Sequence, residues 1–108
     1  MLTITSKLQL NDMRRQKSDL EFEMMVNSNK INMYANIMGA IESQTGLSSD
    51  DLKDEPEYRQ FVAAEDALEE RNTQISHELS LLDEDIKSFQ SYHQTGVKND
   101  TSFWCFGG

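Results

Sequence analysis

Every seventh residue from Tyr58 reads Tyr58, Glu65, Asn72, Leu79, Ile86, His93, and every seventh from Phe61 reads Phe61, Leu68, Ile75, Leu82, Phe89. The two rows interleave as the a and d positions of a heptad, the seam along which one helix packs on another. The second row has no polar member. A seam sustained from residue 58 to residue 93 leaves little choice of architecture: this stretch is a long amphipathic helix that needs a mate.

The mate lies upstream. Leu10, Lys17, Met24, Ile31, Met38 and Met13, Leu20, Asn27, Tyr34, Ile41 form a second pair of rows. Five Gly and one Pro punctuate the chain, and all but Gly39 fall either in 46–56 or from Gly96 onward. Gly39 is a helix-interior residue that costs about 1 kcal/mol against Ala. The expected layout is therefore an extended lead-in over 1–6, a helix over 7–45, a joint over 46–54, a second helix over 55–94, and an irregular aromatic tail over 95–108. Gly46 supplies the left-handed stop for the first helix. In the joint, Ser49 can cap a single helical turn, and Pro56 suits the first turn of the second helix. Gly96 is the expected stop for the second helix.

Two helices of similar length with a short connector lie antiparallel, so the fold class is all-α, a coiled-coil-like two-helix hairpin forming one domain. In such a pair a positions face d positions, and facing residue numbers sum to a constant. At a sum of 99, seven of the ten layers are apolar on both sides, among them Met38–Phe61, Ile31–Leu68 and Leu20–Leu79. The single asparagine of each seam then meets the other, Asn27 against Asn72. Paired amides can exchange hydrogen bonds, whereas a slip of one heptad would set each against an apolar residue. The pair is the expected register device.

The first helix carries more apolar surface than this seam uses. Phe22, Val26, Met33, Ile37 and Ala40 form a second stripe, with Met25 beside it. A lone hairpin has little interior, and pairs of this kind gain buried area by association. The stripe is the expected assembly face, for copies of the chain or for a helical partner. The tail adds Phe103, Trp104 and Phe106, three large aromatics within four residues and effective anchors when docked.

Charge narrows the partners. The net charge is −9, which disfavours nucleic-acid backbones and anionic membranes, both of which reward Lys and Arg. The acid is uneven: residues 7–44 hold five acidic and five basic side chains, residues 55–93 ten acidic and three basic. A basic partner would prefer the second helix. No apolar run reaches the roughly 18 residues needed to span a bilayer, and the N-terminus lacks the pattern of a signal peptide. The cytoplasm is the default location, with specialised export left open.

Chemistry is sparse. Cys105 alone gives no internal disulfide and no cysteine cluster, and Phe-Gly-Gly after it lacks the aliphatic pair of a prenylation box. His77 and His93 have no metal-ligand spacing. Asp50, Asp51, Asp54 and Glu55 share only their charge with a calcium loop. No glycine-rich phosphate loop is present. The expectation is a protein with no catalytic residue, metal or cofactor.

The plan of a helical hairpin with a polar joint resembles two kinds of small secretion-related protein. Gln44-Thr45-Gly46 stands where the WXG100 partners of type VII systems have Trp-x-Gly, the tryptophan being absent. The acidic run Asp54-Glu55-Pro56-Glu57-Tyr58 and the ending Ile86-Lys87-Ser88-Phe89 are similar to those of type III needle subunits. The likeness covers architecture and length, and transfers no functional residue. The expected function is structural: a non-enzymatic hairpin that self-associates or packs into a larger assembly. The alternative is an acidic, secretion-associated adaptor or chaperone-like module for a protein partner.

Overall fold

The computed structural model describes residues 4–101, with side chains through residue 92. Among these are three helices, α1 (Ile4–Thr45), α2 (Ser49–Leu52) and α3 (Pro56–Thr101), and no strand. The class is all-α, with the two long helices packed on one another as a hairpin. The chain divides into two compact units, residues 21–76 and residues 1–20 with 77–108.

The unit of residues 21–76 contains the reversal of the chain. Gly46 takes φ +70°, a left-handed conformation that glycine adopts without a Cβ clash. Its amide donates to the Glu42 carbonyl at 2.9 Å, satisfying one orphan acceptor of the last turn. Thr45 Oγ1 donates to the Ile41 carbonyl at 2.7 Å and accepts from the Leu47 amide at 3.3 Å. Ser48 then caps α2: its hydroxyl accepts from the Asp51 amide, and Asp51 Oδ2 accepts from the Ser48 amide at 3.3 Å. This reciprocal box satisfies donors at both ends of the motif. The short helix is pinned by Leu52, which is 2% exposed. Pro56 opens α3, where its missing N–H is no loss, and the Arg59 amide donates to the Glu55 carbonyl at 2.9 Å.

Within this unit, no seam residue from Met24 to Ile41 or from Tyr58 to Ile75 is exposed. Ile75 is wholly buried, Tyr58 is buried, and the Tyr34 and Phe61 rings meet tilted, with centroids 5.8 Å apart. Such a ring pair adds about 0.5–1.5 kcal/mol beyond the area it buries.

In the other unit, the seam residues Leu10, Met13, Lys17, Leu20, Leu79, Leu82, Ile86 and Phe89 are all buried or half-buried. Lys17 keeps its stem at the seam and carries its ammonium out to Asp83, 2.8 Å away. A long amphipathic side chain can occupy a seam position in this way without burying its charge.

Three boundaries differ from the sequence expectation. Residues 4–6 of the expected extended lead-in are helical, and Ser6 is buried. Ser6 lies seven residues before Met13 on the same row, so the seam continues upstream and outweighs the modest helix penalty of Ile4 and Thr5. The cap of the joint helix is Ser48 rather than Ser49, because only Ser48 stands three residues before Asp51. At the far end α3 passes through Gly96 to Thr101, so the start of the expected irregular tail is helical. A single glycine costs only about 1 kcal/mol, and no proline follows to forbid the next turn. Phe103, Trp104, Cys105 and Phe106 lie outside the described residues.

The contrast between seam and outer face predicts opposite effects of truncation. Ile75→Ala should lower unfolding free energy by about 3 kcal/mol, the usual cost of an unfilled core site. Met33→Ala, at a half-exposed position, should change the stability of the unassociated chain by less than about 0.5 kcal/mol. Urea titration of both variants at low protein concentration measures the difference.

Candidate functional site

Midway along the seam of residues 21–76 lies a polar cluster. Asn27 Nδ2 donates to Asn72 Oδ1 at 3.1 Å. Asn72 Nδ2 in turn donates to the Ser28 hydroxyl at 3.2 Å and to the Met24 carbonyl at 3.4 Å. Asn27 is buried and Asn72 half-buried, and the amides bond one another and the facing helix. At the edge of the cluster Arg71 grips Glu23 with two donors, Nε to Oε2 at 2.6 Å and Nη2 to Oε1 at 3.1 Å. The Arg71 hydrogen bond holds the Glu23 carboxyl below the usual carboxylate range, opposed by burial and aided further by the Arg71 charge and the Asn27 amide. The fork fixes side-chain geometry more than it adds stability, because both partners are well exposed to solvent.

One heptad before Asn72 on the same row, Glu65 is treated differently. Its Oε2 is buried with no hydrogen-bond partner. Burial pushes the Glu65 carboxyl above its ordinary value, and the neighbouring charges of Glu69 and Asp66 push the same way. Nearer the joint, Tyr58 Oη donates to Glu42 Oε1 at 2.8 Å, and this bond, followed by burial, raises the phenol above its usual range. The buried ring of Tyr58 thus has a polar exit at its tip.

The outer side of α1 within the same unit carries the apolar stripe. Phe22, Met25 and Met33 are 63%, 53% and 50% exposed, while Val26 and Ile37 are half-buried. From residue 24 to residue 41 the one charged side chain is Lys30. Three large apolar side chains at least half wet on one side of α1 form the kind of surface that marks an interaction site. On α3 the back of the helix is acidic, with Glu57, Asp66, Glu69 and Glu70 all exposed.

Of the residues singled out by sequence, the structure brings Asn27 to Asn72 and places Ile31, Met38, Phe61 and Leu68 half-buried in the seam of this unit. Leu20 and Leu79 are half-buried in the other unit. Phe22, Val26, Met33 and Ile37 share one helix side without contributing a fully buried residue. Phe103, Trp104 and Phe106 are outside the described residues. The Glu23–Arg71 fork and the Ser28 hydroxyl were not anticipated. Their signal was present as a facing acid and base beside the seam, but heptad rows count only the seam itself.

Shallow grooves flank the seams. One of about 450 Å³, in the unit of residues 1–20 and 77–108, is lined by Met13, Phe89 and Tyr92 with Asp85 and Ser88 at its rim. Another of about 260 Å³, at the joint, is lined by Ile41, Leu52 and Tyr58. Among the described residues no helix is long and apolar enough to cross a membrane, and no group of three or more His, Cys, Asp or Glu is placed to hold a metal ion. Compared with protein-family models, curated proteins and solved structures, the chain matches none.

Two predictions follow from the polar groups of the seam. Asn27→Leu alone should destabilise the hairpin by about 1–3 kcal/mol, because it leaves the Asn72 amide short of a partner. The double variant Asn27→Leu, Asn72→Leu should recover that loss, which a double-mutant cycle reads as strong coupling, and strict additivity would refute the pairing. For Glu65 the raised folded value has a definite sign. Its contribution to stability is fully present below the ordinary carboxylate value of 4.5 and is lost as pH rises through the folded value. At pH 7 Glu65→Gln should therefore be more stable than the parent chain, and the gap should close on acidification in thermal melts.

Proposed function

We propose that this chain is a non-enzymatic assembly component, a helical hairpin that associates through the outer apolar stripe of α1. The observation that supports this reading is the exposure of Phe22, Met25 and Met33 on one side of α1, where residues 24 to 41 carry a single charge, Lys30. Leaving such side chains wet forgoes about 25 cal/mol for each Å² of apolar area that another molecule could cover. Among the described residues the long helices pack only as a pair, and no third layer covers these side chains. The sequence adds a second anchor in the aromatic tail Phe103, Trp104 and Phe106.

Assembly requires an inner seam rigid enough to present the outer one. The amide cluster serves that purpose by making one register of α1 against α3 better than its neighbours, at some cost in stability. Leu20, Leu79, Ile31, Leu68, Met38 and Phe61 supply the apolar layers around it. A second reading, an acidic adaptor for a basic protein partner, is favoured by the exposed carboxylates along α3. The similarity of plan to secretion-related hairpins is compatible with either reading.

Size-exclusion chromatography with light scattering separates the two. Under the assembly reading, the purified chain forms species larger than a monomer. These shrink on Phe22→Ser, and on deletion of residues 101–108 if the tail contributes. A monomer indifferent to protein concentration and to both changes removes the assembly reading and leaves the adaptor.

A further inference from the structure

Gly39 is the observation that the hairpin does not account for. It lies in the interior of α1 and is exposed, where glycine is among the poorest helix formers. A Cβ placed there meets nothing within 4 Å. Among the described residues, no close approach therefore calls for the missing side chain. Gly39 also shares its helix side with the exposed stripe, at the end opposite Phe22.

The stripe is graded along its length. Met25 and Val26 are large and apolar, Asn29 and Asn36 in the middle are carboxamides, and Gly39 and Ala40 are small. The spacing keeps all six on the side of α1 away from the seam. Turned end for end about a point near residues 32 and 33, this pattern fits itself. Met25 and Val26 of one copy come over Ala40 and Gly39 of the other, and Asn29 comes beside Asn36. Large side chains then enter the space left by small ones. A carboxamide also meets a carboxamide, which can donate and accept in either direction.

Charge permits the same partner. A chain of net charge −9 repels its own copies over most of its surface. The stretch from residue 24 to residue 41 carries only Lys30 and no acid, so two copies can approach there without opposing carboxylates. We propose that the occupant of this face is a second copy of the chain, docked antiparallel, α1 against α1, about a two-fold axis near residues 32 and 33. The proposal rests on the assembly reading and gives it a partner and a geometry. An isologous contact of this kind closes on itself as a dimer, so any larger assembly uses a further surface.

The experiment uses the full chain in a Cys105→Ser background. Sedimentation equilibrium should show a dimer that Gly39→Leu weakens at least tenfold, without lowering the thermal midpoint of the dilute chain. The added side chain has open space in the monomer but fills the receiving surface in the dimer. Spin labels attached at Asn32→Cys should then give a short inter-copy distance. Labels at Ser43→Cys should lie about 30 Å apart, since each is some ten residues from the axis at about 1.5 Å per residue. Short distances at both sites, or association indifferent to Gly39→Leu, would overturn this geometry while leaving self-association standing. A parent chain that stays monomeric at every concentration would overturn the assembly reading and this proposal together.

Discussion

The hydrogen bond between Asn27 and Asn72 is the constraint to which the packing of the hairpin answers. Apolar layers attract each other without direction, and Met, Leu, Ile and Phe can exchange neighbours at modest cost. A buried amide cannot do so, because a lost partner leaves donors and acceptors dry. With Asn72 bonded to Asn27, Ser28 and the Met24 carbonyl, its donors and its acceptor are satisfied by the facing helix. Shifting α3 by one heptad would break all three contacts together. The direction and length of these bonds give the seam a register that hydrophobic contact alone would specify only weakly.

Two kinds of charged group accompany that layer. Lys17, Glu23, Arg71 and Asp83 sit at or beside the seam and reach outward to opposite charges, so they retain solvent and are not stranded. Glu65 is the exception, with one carboxylate oxygen buried and unpartnered among acidic neighbours. A seam tolerates a lysine whose long stem can lead the charge away more readily than a glutamate whose shorter stem leaves an oxygen dry. The same asymmetry separates the two outer faces. The back of α3 carries exposed acid, whereas the back of α1 over the equivalent length carries carboxamides, apolar groups and one lysine.

The long helices were legible in the sequence because period 3.5 repeated many times is a signal that few other structures produce. The reversal was legible for a different reason, since Gly46 and Pro56 are local devices whose backbone preferences need no tertiary context. The ends were not. Ser6 belongs to the helix because the seam continues past Leu10, and α3 continues through Gly96 because a single glycine is a weak stop. At the joint, Ser48 and Ser49 are equivalent as residue types, and only the reciprocal contact with Asp51 separates them. The candidate surface was readable as a surplus of apolar residues. Its exposure was not, since a stripe looks the same in sequence whether or not another segment covers it.

Sequence by itself determined the class of the fold, the two helices, their joint, and the residues that could share a seam, because each follows from periodicity or from a local backbone preference. Tertiary structure decided which groups meet and which remain wet. It closed the amide cluster with Ser28 and the Met24 carbonyl, added the Glu23–Arg71 fork beside it, left Glu65 Oε2 without a hydrogen-bond partner, and left Phe22, Met25 and Met33 facing solvent. Those outcomes depend on the rotation of each helix about its axis and on small offsets along the seam. A heptad constrains such offsets only to within about a residue, whereas a hydrogen bond is sensitive to tenths of an ångström.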